Sequence, residues 1–391
     1  MRIGIRCYVM VSAVLLASAT ARAEQLGPTF QVNAAPKSPE FYSSVGAHPD
    51  GRYVVSWQVK LPNPPDKASR IHAQRFDADG GRLGDEIAVS KKGGFATHSS
   101  VAYLDDGRFV VIWNRLRKRG ALRLIRGRLF DEKGMPVGPV FEVTDTASKK
   151  LHGVSVEALP NGRFAVIWAI RKGVKTRVSG QLFNKKGSKR GENIVFEDLV
   201  SEIRGTPRIS SFGQKSKFVI VFDGVEGNSP IGQVFNRDGS PFSKPFNLSE
   251  STSTSGNAPD VTAFGKKKFI ATWTGTEIRT RVFNARGKPT GPSNIAVSPD
   301  NSGASPLIAA LSDGDSIIAW RRNDTGDDDK VAKYSIQVRR LDSTGSPVGT
   351  EATMISFGKL RELSLAGLAD GRYVVIWGQR SPLNVYGRMS E

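Results

Sequence analysis

Two histidines and two runs of cations are the residues of this 391-residue chain whose types and spacing suit chemistry. His98 and His152 stand 15 and 16 residues ahead of a tryptophan, Trp113 and Trp168. Brought together, such a pair could hold a metal ion or pass a proton as acid and base near neutral pH. The offsets differ by one and no carboxylate in sequence orients either ring, so local hydrogen bonding explains them equally well. His48 and His72 read as structural. The cations are Arg115, Arg117, Lys118 and Arg119, followed by Arg171, Lys172 and Lys175, with no acid inside either run. Clustered guanidinium groups grip phosphate, sulfate or carboxylate in bidentate fashion, although a solvated rim also carries such charge. No aromatic residue stands among them, which argues against stacking of single-stranded nucleic acid.

The segment Asn323-Asp-Thr-Gly-Asp-Asp-Asp329 is rich in oxygen ligands. Its spacing is not that of a calcium-binding EF-hand loop, and Arg321, Arg322 and Lys330 neutralise it. A solvated loop is the plainer reading. The chain has no Gly-x-Ser-x-Gly elbow, no His-Glu-x-x-His and no phosphate loop. These absences leave no catalytic residue, metal or cofactor to assign from motifs.

Composition narrows the setting. Lys and Arg number 56 against 37 Asp and Glu, a formal charge of +19. Residues 1–23 read as a secretory signal peptide: Arg2 and Arg6, then an apolar stretch over 7–18, then Ala21-Arg22-Ala23 before Glu24. The apolar stretch is too short to span a membrane. Without those residues, which hold three Arg and no acid, 53 cations face 37 acids, an excess of +16. Cys7 leaves with them, so residues 24–391 contain no disulfide and no thiolate metal site. The expectation is an exported protein, periplasmic or secreted, that attracts polyanions.

The elements that must position these residues come from a repeat. Six segments end in tryptophan, among them Gly107-Arg-Phe-Val-Val-Ile-Trp113, Gly162-Arg-Phe-Ala-Val-Ile-Trp168 and Gly371-Arg-Tyr-Val-Val-Ile-Trp377. A seventh, Ser216-Lys-Phe-Val-Ile-Val-Phe222, ends in phenylalanine. The anchors fall at 57, 113, 168, 222, 273, 320 and 377, a mean step of about 53 residues. Each copy reads as four strands. An apolar residue twelve positions ahead of the anchor marks the first, with Ser210 breaking the pattern in the fourth copy. An Asp-Gly or Asn-Gly turn, such as Asp106-Gly107, leads into the second. Its apolar residues are consecutive, so both faces are buried. A third strand ends at Phe76, Phe130, Phe183, Phe235, Phe283 or Leu341, before an Asp/Asn-x-x-Gly turn and a fourth strand such as 140–144.

The last copy stops at its third strand, 384–390, while residues 28–33 match the fourth-strand pattern with no copy of their own. The reading is a single all-β domain over 24–391: a seven-bladed β-propeller of four-stranded antiparallel blades, its N-terminal strand closing the last blade. These motifs, Asp-Gly-Arg-Phe-Val-Val-Ile-Trp followed by Phe-Asp-x-x-Gly-x-Pro-x-Gly, resemble the propeller repeats of bacterial secreted and surface proteins. The resemblance covers nearly all of 26–391 and implies architecture rather than activity. Lys215, Lys266, Lys267 and Phe222 depart from it, so copies four to six are expected to be less regular.

By fold-level analogy, the connections after the anchors share a ligand-bearing face with the inter-blade loops. Blades one to three carry +2, +4 and +3 there, while Asp223, Glu226 and Glu277 make blades four and five acidic. The functional expectation is a non-catalytic, monomeric binding scaffold for an anionic glycan, lipopolysaccharide or an envelope protein. The competing expectation is a polysaccharide lyase or hydrolase working at the channel mouth.

Overall fold

A strand such as Phe109-Val-Val-Ile-Trp113 must be covered on both sides, because successive side chains point to opposite faces. The computed structural model shows how this chain meets that demand. It describes residues 24–34, 40–60, 68–91, 95–117, 122–145, 147–148, 151–172, 175–196, 205–212, 217–224, 229–250, 256–265, 267–297, 303–325, 333–357, 360–380 and 383–391. The expected signal peptide lies outside the described residues.

Strand β1 (Leu26–Gln31) precedes blade 1, which is β2 (Glu40–Ala47), β3 (Tyr53–Lys60), β4 (Ser69–Phe76) and β5 (Ile87–Ala88). Blade 2 holds β6 (Phe95–Tyr103), β7 (Phe109–Arg117), β8 (Leu122–Phe130) and β9 (Pro136–Glu142). Blade 3 holds β10 (Leu151–Leu159), β11 (Arg163–Lys172), β12 (Lys175–Phe183) and β13 (Lys189–Val195). Blade 4 holds β14 (Arg208–Phe212), β15 (Lys217–Phe222), β16 (Ile231–Phe235) and β17 (Phe246–Asn247). Blade 5 holds β18 (Asn257–Phe264), β19 (Lys268–Thr274), β20 (Ile278–Asn284) and β21 (Asn294–Val297). Blade 6 holds β22 (Gly303–Ala310), β23 (Ser316–Asn323), β24 (Tyr334–Leu341) and β25 (Pro347–Phe357). The last sheet runs β1, β28 (Leu383–Ser390), β27 (Tyr373–Arg380), β26 (Leu360–Gly367). One 3-10 turn, Ala369–Gly371, is the sole helical element among the described residues, and no helix is long and apolar enough to cross a membrane.

Pairing inside every blade is antiparallel, and the expected closure is present: Thr29, Phe30 and Gln31 lie opposite Arg388, Gly387 and Tyr386. The first strand of each blade lies against the first strand of the next, and β26 lies against β2, so the seven units form a ring. Blade 4 ends in the two-residue β17, but β5 of blade 1 is equally short, so a short outer strand is not confined to the irregular copies. The fourth strand of blade 2 begins at Pro136, four residues ahead of the Val140 expected from the repeat, because Pro136 already lies opposite Phe130 across the turn.

Seven apolar clusters fill the seven gaps between blades, which explains the consecutive apolar runs. Phe109, Val111 and Trp113 of β7 pack toward blade 1, while Val110 and Ile112 pack toward blade 3. In β11, Phe164, Val166 and Trp168 face blade 2, and Ala165 and Ile167 face blade 4. Each large side chain so buried contributes about 1.5–3 kcal/mol. Aromatic pairs fix strand spacing within blades: Phe109 stacks on Phe130 at 4.9 Å and Phe164 on Phe183 at 4.9 Å. Around the axis, polar side chains staple neighbouring inner strands. Ser44 Oγ accepts from Val101 N–H at 3.3 Å, Ser100 Oγ from Val156 N–H at 3.2 Å and Thr262 Oγ1 from Ala310 N–H at 3.1 Å.

Candidate functional site

The hairpins joining second to third strands differ in reach. β15 and β16 begin their pairing at Phe222 opposite Ile231, and β19 and β20 at Thr274 opposite Ile278. In blade 2, β7 and β8 stay paired out to Arg117 opposite Leu122, four residues past Trp113. In blade 3, β11 and β12 stay paired to Lys172 opposite Lys175. Blades 1, 6 and 7 stay paired to three residues past their anchors, so the neighbouring ribbons of blades 2 and 3 reach one residue further than these on the same face. The backbone places Arg115 and Arg117 in the ribbon of blade 2, and Arg171, Lys172 and Lys175 in that of blade 3. Arg123 and Arg177, which the sequence reading passed over, sit on the return strands opposite Leu116 and Ile170. Lys118 and Arg119 lie outside the described residues.

The acidic character expected of blades 4 and 5 is corrected by the geometry. Asp223 is buried, and its two carboxylate oxygens accept the N–H groups of Gly205 and Ala258 at 2.7 Å each. It braces blade 4 against blade 5 instead of presenting charge. Glu277 pairs with Arg279 at 2.7 Å, and Glu226 lies outside the described residues.

His98 occupies a bulge in β6, where the ladder to β7 slips between Thr97 and Ser99 and its φ is 50°. Tyr42, Gly153, Ala258 and Ser305, each 15 residues ahead of its own anchor, also have positive φ. Non-glycine residues are strained there, so the bulge is a property of the ring. The His98 ring packs on that of Tyr42 with centroids 3.7 Å apart, and Tyr42 N–H donates to Glu362 Oε2 at 3.0 Å. Burial, followed by the Arg123 charge, pushes His98 down to about 4. It is therefore neutral at physiological pH. The position equivalent to His98 in blade 3 is Gly153, not His152, and the His152 side chain lies outside the described residues.

Two acids on the inner strands escaped the sequence reading. Glu157, on β10, accepts both the N–H (2.8 Å) and the Oγ–H (2.9 Å) of Ser211 on Oε1. Asp260, on β18, accepts Ile308 N–H at 2.9 Å and lies 3.8 Å from Arg208 Nε. Enclosure by the inner strands pushes Glu157 up to about 7, and the Asp260 charge adds to the shift. Asp260 is likewise raised by burial, against the pull of Arg208. The available signal was columnar. Positions equivalent to Glu157 hold Gly46, Ala102, Ser211, Thr262, Ala309 and Ala366, so a carboxylate is the odd residue there. Of the acidic segment 323–329, Asp324 pairs with Arg322 at 2.6 Å and residues 326–329 lie outside the described residues. Among the described residues no three His, Cys, Asp or Glu side chains gather as metal ligands.

No protein-family model matches the chain, and no curated protein does. Solved structures do. A protein of unknown function from Dyadobacter fermentans superposes with a TM-score of 0.53 at 13% identity, covering 93% of this chain and 97% of that one. The β-propeller domain of the Trilobed protease from Pyrococcus furiosus gives 0.51 at 11% identity, covering 91% and 94%. The Hadza microbial sialidase Hz136 gives 0.54 at 9% identity, covering 93% of this chain and 68% of that one. At such identities the likeness shows the propeller fold alone.

Proposed function

We propose that this chain is an exported, monomeric binding propeller that docks an anionic glycan, lipopolysaccharide or an acidic envelope protein through the ribbons of blades 2 and 3. One observation carries the reading: two adjacent ribbons project on the same face, and residues 114–125 and 169–178 hold nine Lys and Arg and no acid. The ring beneath them sets the two ribbons side by side, which favours a repeating polyanion over a single ion. The test is a salt titration of binding to a heparin-like glycan, to lipopolysaccharide and to DNA. Glycan or lipopolysaccharide binding that weakens with salt, and is lost on reversing Arg115, Arg117, Arg171 and Lys172 to Glu, supports the proposal. Failure to bind either at low salt refutes it.

A second reading has its own observation. Glu157 titrates near 7 with Asp260 close enough to act on it, an arrangement in which one carboxyl can hold a proton that another cannot. This supports hydrolysis of a glycan at the axial channel. Turnover of a glycan substrate that vanishes in Glu157→Gln would establish it.

A further inference from the structure

The turn between first and second strands carries Asp-Gly-Arg in blades 1, 2 and 7. The arginines of blades 1 and 2 are neutralised by the aspartate of their own turn, and Arg372 of blade 7 by Asp79 of blade 1 at 3.3 Å. Arg52 lies 2.8 Å from Asp50, and Arg108 lies 2.5 Å from Asp106. Blade 3 reads Asn161-Gly162-Arg163. With a neutral amide in place of the acid, Arg163 has no carboxylate in its turn, and among the described residues it forms no ion pair. Its guanidinium donates from Nε to Pro160 O at 3.0 Å. Arg108 also donates to Lys185 O at 2.6 Å, in the turn of the following blade. Among the described residues Arg163 makes no such bond to the equivalent residue, Arg237. Yet Arg163 is only 9% exposed. A buried guanidinium without a counter-charge is costly.

What Arg163 faces is a cleft of about 580 Å³ between blades 3 and 4. Arg190, Arg237 and Lys217 line the same cleft. Arg190 and Arg237 are exposed, so they stand at its rim while Arg163 lies deeper. The Lys217 Nζ sits over the Phe242 ring, 3.0 Å from its centroid. Burial, then the charges of Arg237 and Arg190, hold Arg163 below the usual guanidinium range, a sign of mutual repulsion. Two acids are near. Asp238 lines the cleft but already accepts Ser240 N–H at 3.0 Å and Ser240 Oγ–H at 2.6 Å. Asp105 binds the N–H groups of Asn161 and Gly162 at 2.6 Å each. Four cations thus surround a space of the size that holds small ligands. The cleft lies on the face of the first-to-second and third-to-fourth turns, opposite the projecting ribbons.

We propose that this cleft binds a tetrahedral oxyanion, a phosphate or sulfate group carried on a sugar-sized molecule, with Arg163 beneath it and Arg190 and Arg237 closing on it from the rim. Planar guanidinium groups suit that geometry by paired N–H donation. The site is independent of whether the ribbons bind anything.

Isothermal titration of the purified protein in low-salt buffer tests it with four ligands: inorganic phosphate, inorganic sulfate, a hexose phosphate and a sulfated disaccharide. The expected result is one site, with the tighter of the two esters identifying the carrier. Arg237→Ala should weaken binding at least tenfold. Arg190→Ala, which removes the other rim guanidinium, should do the same. Lys133→Ala, at an exposed turn of blade 2 outside both the cleft and the ribbons, should leave the affinity unchanged. Binding by none of the four ligands overturns the proposal, as does binding that survives both Arg237→Ala and Arg190→Ala in variants with unaltered melting temperature.

Discussion

Asn33 donates from Nδ2 to Asn384 Oδ1 at 3.1 Å and accepts Val385 N–H on its own Oδ1 at 3.2 Å, a buried exchange between the two ends of the chain. Next to it, Val32 N–H donates to Val385 O at 2.8 Å and the Val32 side chain joins the cluster between blades 7 and 1. The ring is thus held shut by a ladder, an amide pair and an apolar plug together.

Replacing Asn33 by Ala strips partners from two buried groups, Asn384 Oδ1 and Val385 N–H. At about 1–3 kcal/mol for each of the two groups left unmatched, the expected loss is about 2–6 kcal/mol. Urea unfolding followed by tryptophan fluorescence measures it. A midpoint unchanged from the parent would show that the ladder of β1 alone closes the ring.

Close packing around the axis makes a sharper demand. A Cβ on Gly367 would stand 2.0 Å from Ala310 O, the backbone of the neighbouring inner strand. Gly367→Ala must push blades 6 and 7 apart, and a loss above about 3 kcal/mol is expected. Gly291→Ala, where a Cβ meets nothing within 4 Å, should stay within about 0.5 kcal/mol. Equal melting temperatures for the two variants would contradict the inner-strand spacing described above.

The same repeat that made the fold readable hid the sites. Trp113 and its counterparts announce the second strand because a residue covered by a neighbouring blade must be large and apolar, and that constraint acts on sequence directly. Residues 28–33 could be matched to the missing strand for the same reason. Glu157 feels the Asp260 charge only through the curvature of the ring, with more than 100 residues between them in sequence, and no local pattern reports such a coupling. Arg163 was visible only as part of a turn motif. Its meaning comes from the absence of an acid at Asn161, which becomes informative once Asp50 and Asp106 are seen pairing with Arg52 and Arg108. Asp223 shows the converse: its charge is legible, its burial is not.

For the ribbons, the measurable quantity is the dependence of affinity on salt. Each cation that displaces a condensed counterion from a DNA-like polyanion adds about 0.9 to the slope of log K against log salt. Neutralising Arg115 and Arg117 should lower that slope by about one to two units, with a smaller change for any single variant. A lowered affinity with an unaltered slope would mean that these residues act on shape and not through charge.

Acid and base titration should separate Glu157 from His98. Glu157 is raised from 4.5 to about 7, so between those values the folded protein holds a proton that the unfolded chain has released. Stability from this group is complete below 4.5 and is lost as pH rises toward 7. His98 is lowered from 6.5 to about 4, so there the unfolded chain binds the extra proton. Its contribution is complete above 6.5 and is lost as pH falls toward 4. The two slopes oppose each other where the windows overlap, and each is worth roughly 3 kcal/mol at most. Measured against the parent by urea unfolding, Glu157→Gln should gain stability steadily from pH 4.5 to 7 and level off above. His98→Asn, an amide that tolerates positive φ, should lose its relative stability from pH 4 to 6.5. A flat difference curve for Glu157→Gln would mean that Glu157 is ionised throughout, which would also remove the observation behind the hydrolase reading.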